Sequence, residues 1–333
     1  MTRSHFHIPA CILTYALSLA FVCLFSLPAR AGHGHSGPVR QAIVLAAFGT
    51  SYPEALGSIL NIRTRVELAN PGIPVRLAFT SSTIRSIWHE RRDDAAWIKD
   101  NPGVPAEVLS VKTPLATIAD LQNEGFRDIT VQSLHVFAGE EFEDLKGLMI
   151  ALDSIRTVKA KSAPFAALRL GRPALGMPGD AYPYTDDIAA GVKALKADVD
   201  RAKTMRAALI YMGHGNDFFS TGIYAELQKQ MNEAYDVPVF AACVEGYPAF
   251  DDILAGLKAA KVKKVLLKPL MVVAGDHASN DMAGDEDDAW KIILTKAGYQ
   301  VTTDLTGLGA NDAWADLYVD HLKDAMSQSG LLR

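Results

Sequence analysis

A bilobal α/β fold, two similar lobes each with a parallel β-sheet flanked by helices, is predicted by three features of the sequence. Apolar, β-branched runs alternate with amphipathic stretches, the pattern of βα units whose strands are buried on both faces. Short motifs recur in the same order in the two halves of the chain. With 333 residues, 49% hydrophobic and 21% charged, the chain can bury a large core and lacks the composition of a disordered protein. That length suits about two domains or one large two-lobed unit.

The first residues read as an address. Arg3 gives Met1 to His7 a basic character, Ile8 to Leu27 is apolar and uncharged, and Ala29 and Ala31 form the small-x-small pattern of a cleavage site. The apolar run is long enough to span a membrane, but this pattern and the polar stretch behind it predict a signal peptide over 1–31, cut near Ala31. The mature protein is then expected to be periplasmic, with no stable membrane anchor. A flexible terminus follows over 32–40, where His33 and His35 are read as solvated. Cys11 and Cys23 leave with the signal, so Cys243 is left without a disulfide partner.

The elements follow in order. Strands are expected at Ala42–Ala47, Pro74–Phe79, Glu107–Val111, Asp128–Leu134, Ala207–Met212, Pro238–Ala242, Lys264–Leu270 and Tyr299–Thr303. Helices are expected at Glu54–Leu68, Glu141–Ile155, Thr185–Ala202, Gly222–Tyr235, Phe250–Ala260, Ser279–Lys296 and Asp312–Met326, with Pro53 and Pro248 at helix starts. The first lobe covers 41–160, a crossover 161–206, and the second lobe 207–333.

The repeat locates the chemistry. Ala42–Phe48 matches Ala208–His214, Ile73–Ser81 matches Val237–Glu245, and Ser133–Glu141 matches Pro269–His277. Ligands of parallel α/β sheets bind beyond the carboxyl ends of the strands. There the second lobe carries His214, Glu245 and His277, each after an apolar strand and beside glycine, where the first lobe has Phe48, Ser81 and Glu141. Two imidazoles and a carboxylate suit a divalent transition metal with open coordination positions. Asp281, four residues after His277, is placed to orient that imidazole from the same helix face. Asp285 to Asp288 read as acids at a helix start.

Other classes are excluded. With 33 Lys+Arg against 38 Asp+Glu, a net charge of -5 and no basic run, the chain lacks the cationic face of a nucleic-acid binder. It has no GxxxxGK[ST] loop, GxGxxG, GxSxG elbow or CxxCH, so no nucleotide is expected.

The motifs Phe48-Gly-Thr-Ser-Tyr52, Val131-Gln-Ser-Leu-His135 with Gly139-Glu-Glu-Phe142, Met212-Gly-His-Gly215, Val244-Glu-Gly246, and Pro269 to Ala278 with Asn280-Asp-Met282 are jointly specific. Over about Ala42 to Leu322 the chain resembles the small class II tetrapyrrole chelatases, and within them the anaerobic sirohydrochlorin cobaltochelatase family, CbiK. The resemblance implies a lyase that inserts Co2+, and often Fe2+, into sirohydrochlorin without ATP, a step of cobalamin biosynthesis. It carries the family's metal-binding His, Glu and His onto His214, Glu245 and His277. The stretch from Thr157 to Arg206 is longer than in typical members, and the export signal is unusual for a cytoplasmic pathway. Some exported relatives are associated with haem through a His in the helix after Gly139-Glu-Glu-Phe142. Here Glu143 takes that place, and haem is not predicted.

On this reading His214 and His277 hold the metal and accept protons, an unperturbed imidazole titrating near ~6.5. Glu245 completes the site and relays protons away. His135 is expected to face the tetrapyrrole from the first lobe. Thr50, Ser51, Ser81 and Ser82, with Arg85 on the following helix, are expected to meet its carboxylates. A homo-oligomer is left open. The alternative is a periplasmic metal or haem carrier that uses the same fold without turnover.

Overall fold

The computed structural model describes residues 38–179, 181–217 and 219–328. The expected signal peptide, its Ala31 cleavage point, His33 and His35 lie outside these residues. Among the described residues the strands are β1 (Arg40–Ala47), β2 (Val75–Phe79), β3 (Phe126–Ser133), β4 (Ala167–Gly171), β5 (Ala208–Gly215), β6 (Val239–Glu245), β7 (Lys264–Pro269) and β8 (Gln300–Thr303). They form two parallel sheets with the same order, β2-β1-β3-β4 and β6-β5-β7-β8. The repeat read from the sequence is therefore a repeat of topology. The helices are α1 (Leu56–Ala69), α2 (Ser82–Arg92), α3 (Ala95–Asp100), α4 (Ala106–Leu109), α5 (Pro114–Asn123), α6 (Glu140–Asp153), α7 (Tyr184–Ala194), α8 (Lys196–Met205), α9 (Ile223–Ala234), α10 (Phe250–Ala260), α11 (Trp290–Lys296) and α12 (Asp312–Met326). No helix among the described residues is long and apolar enough to cross a membrane.

Strand alternation sorts the apolar runs between layers. Ile43 and Leu45 of β1 join Leu209 and Tyr211 of β5 in one core that both lobes share. Val44 and Ala46 face α5 and α6 in a second core, and Ile210 and Met212 face α10 and α11 in a third. Both faces of each central strand are covered, which is why these runs are continuously apolar.

The helices after the last strand of each sheet cover the other lobe. The pair after β4 packs away from its own sheet, α7 on α9 and α8 on β5 and β7. In return α12, which follows β8, lies on α1, β3 and β4. Buried charge seals this exchange. Arg172, just after β4, donates to both oxygens of Asp187 on α7 at 2.7 and 2.8 Å and to Asp324 on α12 at 2.7 Å. His321 of α12 is buried between them, its Nε2 3.1 Å from Asp187 Oδ1 and its Nδ1 3.2 Å from the Arg172 carbonyl oxygen. Burial opposes ionisation of Asp187, but the hydrogen bonds from Arg172 and His321 outweigh it and leave its pKa below the usual 3.8.

Several expectations are corrected. Glu107–Val111 is no strand: α4 occupies most of it, and only Lys112 forms a bridge to β2, at Ala78. The Glu107 carboxylate accepts from the Leu77 amide at 3.0 Å and from Arg63, so a side chain serves an edge donor of β2. The segment 161–206, expected as a crossover, contains β4, which pairs with β3. The helix expected over 185–202 breaks at Leu195 into α7 and α8. Ser279–Lys296 is a π-helical turn over Ala278–Met282, then a loop, then α11. The turn closes where the Gly284 amide meets the Asn280 carbonyl at 2.9 Å. Helix α2 is the one expected to carry Arg85, while α3 and α5 lie in stretches for which no element was expected.

Replacing Arg172 by Met should leave Asp187 buried without its cation and cost about 3–5 kcal/mol in urea unfolding. Replacing Lys196, whose pair with Asp200 is exposed, should leave the midpoint nearly unchanged. The Asp187 contribution should persist above pH 3.8 and vanish as pH falls through its lowered value.

Candidate metal centre

The loops at the carboxyl ends of β5 and β7 bring two histidines together. The His214 and His277 rings lie edge to face, with centroids 4.7 Å apart and an interplanar angle of 87°. His214 Nδ1 lies 2.7 Å from the Gly215 carbonyl, and His277 Nδ1 lies 2.5 Å from Asp281 Oδ2. Both partners are acceptors, so each Nδ1 carries the proton and donates it. Each Nε2 then keeps its lone pair free for a metal, the arrangement that outer partners impose on ligating imidazoles. The Asp281 contact is the one the i,i+4 spacing predicts.

Glu245 ends β6 beside them, its Cα in register with Gly215. Two glycines make this junction. Gly215 has φ +71°, and a Cβ there would stand 1.8 Å from the Glu245 carbonyl oxygen. Gly246 has φ +82°, and a Cβ there would stand 2.3 Å from the Asn216 carbonyl oxygen. The β5 and β6 ends therefore interlock through backbone. Glu245 is solvent-exposed at this strand end, and among the described residues no three His, Cys, Asp or Glu side chains form a ready-made cluster. The structure presents two assembled imidazoles with a carboxylate on the adjoining strand end. Cys243, two residues before Glu245, is buried, which pushes its thiol up to about 12, and Sγ donates to the Tyr247 carbonyl.

The first lobe faces this pair with a braced loop. Trp88 Nε1 donates to the Thr50 carbonyl at 2.8 Å, and Arg91, its guanidinium over both the Trp88 and Trp97 rings, donates to the Ser51 carbonyl. The Tyr52 hydroxyl crosses to the second lobe and donates to Asp276 Oδ1 at 2.9 Å. That bond, with burial and the Asp276 charge, raises the Tyr52 pKa. Sequence reasoning passed over Trp88, Arg91 and Trp97, whose only signal was aromatic and basic residues interleaved after Arg85.

The expected substrate contacts divide. Thr50 is 2% exposed and its Oγ1 accepts from the Tyr52 amide, so it shapes the loop instead of offering a hydroxyl. Ser81 caps α2 by accepting from the Ile84 amide, and Arg85 donates to the Phe79 and Thr80 carbonyls at 2.7 Å each. Ser51 is half-buried and Ser82 exposed. His135, two residues past β3, is half-buried, with its Nε2 edge turned away from solvent. Its Nδ1 lies 2.8 Å from Ser133 Oγ, its Nε2 is enclosed without a partner, and burial lowers its pKa from 6.5 to about 4.

Two parallel sheets with a histidine pair at their strand ends define a two-lobed chelatase-like α/β protein. A family model described as cobalt chelatase (CbiK) matches residues 41–327, and the chain belongs to that family. It is 30% identical over 292 residues to the sirohydrochlorin cobaltochelatase of Salmonella typhimurium, covering 87% of this chain and 98% of the relative. It is 29% identical over 293 residues to the sirohydrochlorin cobaltochelatase CbiKC of Nitratidesulfovibrio vulgaris, covering 88% of this chain and 93% of the relative. Among solved structures, SirB from Bacillus subtilis with Fe3+ superposes with a TM-score of 0.57 at 13% identity, covering 87% of this chain and 97% of that one. At that identity the likeness is one of fold.

His135 should stay neutral while exposed imidazoles titrate, its ring resonances flat from about pH 5 to 8 in an NMR titration. The unfolded chain takes that proton first, so the His135 contribution to stability should be full above 6.5 and fall as pH drops from 6.5 towards about 4.

Proposed function

We propose that this chain inserts Co2+ into sirohydrochlorin without ATP, releasing the two pyrrole N–H protons as the metal enters. The observation that carries this is the pair of facing imidazoles, His214 and His277, whose Nδ1 protons are engaged and whose Nε2 lone pairs are free. Co2+ is the substrate metal, and soft-to-borderline imidazole nitrogen suits it and Fe2+ alike. As Co2+ leaves for the macrocycle, the same Nε2 atoms become free to take up pyrrole protons. Glu245, exposed on the neighbouring strand end, passes protons to solvent. The braced loop from Phe48 to Tyr52 presents the opposing wall, against which the tetrapyrrole is bent towards the metal.

The reading extends to location. Arg3, the apolar run Ile8 to Leu27 and the Ala29-x-Ala31 pattern support export to the periplasm. Sequencing the purified protein from the periplasmic fraction should return an N-terminus at Gly32. A full-length cytoplasmic product would refute export.

The activity is tested by an absorbance time course with excess sirohydrochlorin and Co2+, repeated with Fe2+. Multiple turnovers should occur with the wild-type chain and vanish in His214→Ala and His277→Ala with the thermal midpoint preserved. Stoichiometric binding without a rate above the uncatalysed control would instead identify a metal or tetrapyrrole carrier.

A further inference from the structure

The carboxyl ends of β1 and β7 come from different lobes, and they touch at one place. A Cβ on Gly275 would lie 3.6 Å from Thr50 Oγ1, and one residue further on the Tyr52 hydroxyl meets Asp276. Asp276 directly precedes His277. Its Oδ1 also accepts from Asn280 Nδ2 at 2.9 Å, while the next pair in the same turn, His277 and Asp281, makes the equivalent i,i+4 contact. Two parallel side-chain pairs therefore hold the π-helical turn Ala278–Met282, and the first lobe's hydroxyl is added to one of them.

From this we infer that Tyr52 is a positioning residue for His277: its hydroxyl ties the first lobe to the turn that carries the second imidazole, and so sets the His214–His277 spacing. The donor side is ordered before the bond forms. The Tyr52 amide is held by Thr50 Oγ1 at 3.1 Å, the Thr50 carbonyl by the buried Trp88 indole, and the Ser51 carbonyl by Arg91. On the acceptor side the Ser279 amide donates to the Gly275 carbonyl at 3.0 Å, so the turn is closed on itself and Asp276 cannot drift far. A hydrogen bond between groups already ordered loses little side-chain entropy on forming. His214 stands on β5, inside the second lobe, where its Nδ1 is held by the adjoining Gly215 carbonyl. Movement of the first lobe is thereby transmitted to His277 through Asp276.

The inference rests on the metal role given above to His214 and His277, and its test has a readout separate from turnover. Co2+ alone is titrated into wild-type, Tyr52→Phe, Asp276→Ala and the double variant, followed by ligand-field absorbance, and insertion kinetics are then measured. Tyr52→Phe should keep the thermal midpoint, bind Co2+ about tenfold more weakly and lose kcat to a similar extent, with KM for sirohydrochlorin unchanged. Asp276→Ala should weaken Co2+ binding too, and adding Tyr52→Phe to it should cause no further loss, as for two partners of one contact. If Tyr52→Phe does not fold, additivity cannot be read, and Asp276→Asn, which keeps an acceptor oxygen for the hydroxyl, must then bind Co2+ more tightly than Asp276→Ala. Wild-type Co2+ affinity in Tyr52→Phe, full additivity in the double variant, or equal affinities for the Asn and Ala variants would overturn the inference. A raised KM with unchanged Co2+ affinity would also overturn it, making Tyr52 a tetrapyrrole contact. A wild-type chain that binds Co2+ without turnover would refute the proposed activity and leave the titration readable.

Discussion

The exchange of helices between the lobes, closed by the Arg172 guanidinium, is the constraint on which the rest depends. A parallel sheet places all its loops of interest at one end, but two such sheets make a cleft only if something fixes their mutual orientation. Here α7 and α8 leave the first sheet to pack on the second lobe, and α12 returns to β3 and β4. Arg172 grips Asp187 from one direction of exchange and Asp324 from the other. Outside this buried junction, Arg65 of α1 pairs with Asp316 of α12, and Asn61 donates to the Gly309 carbonyl and Asp312. With the lobes held this way, the loop after β1 meets the loop after β7.

The duplicated framework carries different chemistry in its two copies. At the position of His214 the first lobe has Phe48, which is 45% exposed although the five residues before it are buried. At the position of Glu245 it has Ser81, a helix cap. At the position of His277 it has Glu141, in the first turn of α6, where a carboxylate is favoured by the helix dipole. One copy keeps its strand ends for structure and shape, and the other exposes nitrogen and oxygen donors.

The strands at the centre of each sheet were legible because burial on both faces leaves only apolar, β-branched residues to choose from. β4 was not, because Arg169, paired with Asp128, interrupts its apolar run. Glu107 was misread for a related reason: Ala-Glu-Val-Leu-Ser-Val is short, apolar and β-branched like a strand, while the Glu107 carboxylate serves β2 from a helix. His214 and His277 could be found because they follow strands at positions the repeat makes equivalent to Phe48 and Glu141. Tyr52 belonged to a motif that marked resemblance, but its partner lies 224 residues away, and nothing local announces such a contact.

The position of α12 has a consequence for how the chain is made. Asp312–Met326 covers sheet residues that begin at Phe126, so the first lobe lacks one of its own walls through most of synthesis. Trp314, Tyr318 and Leu322, all fully buried in the shared core, arrive last. Contacts of such sequence separation slow folding and leave apolar surface bare in the interval. A chain that stops short of its last helix thus loses the wall of a lobe whose own residues are all present.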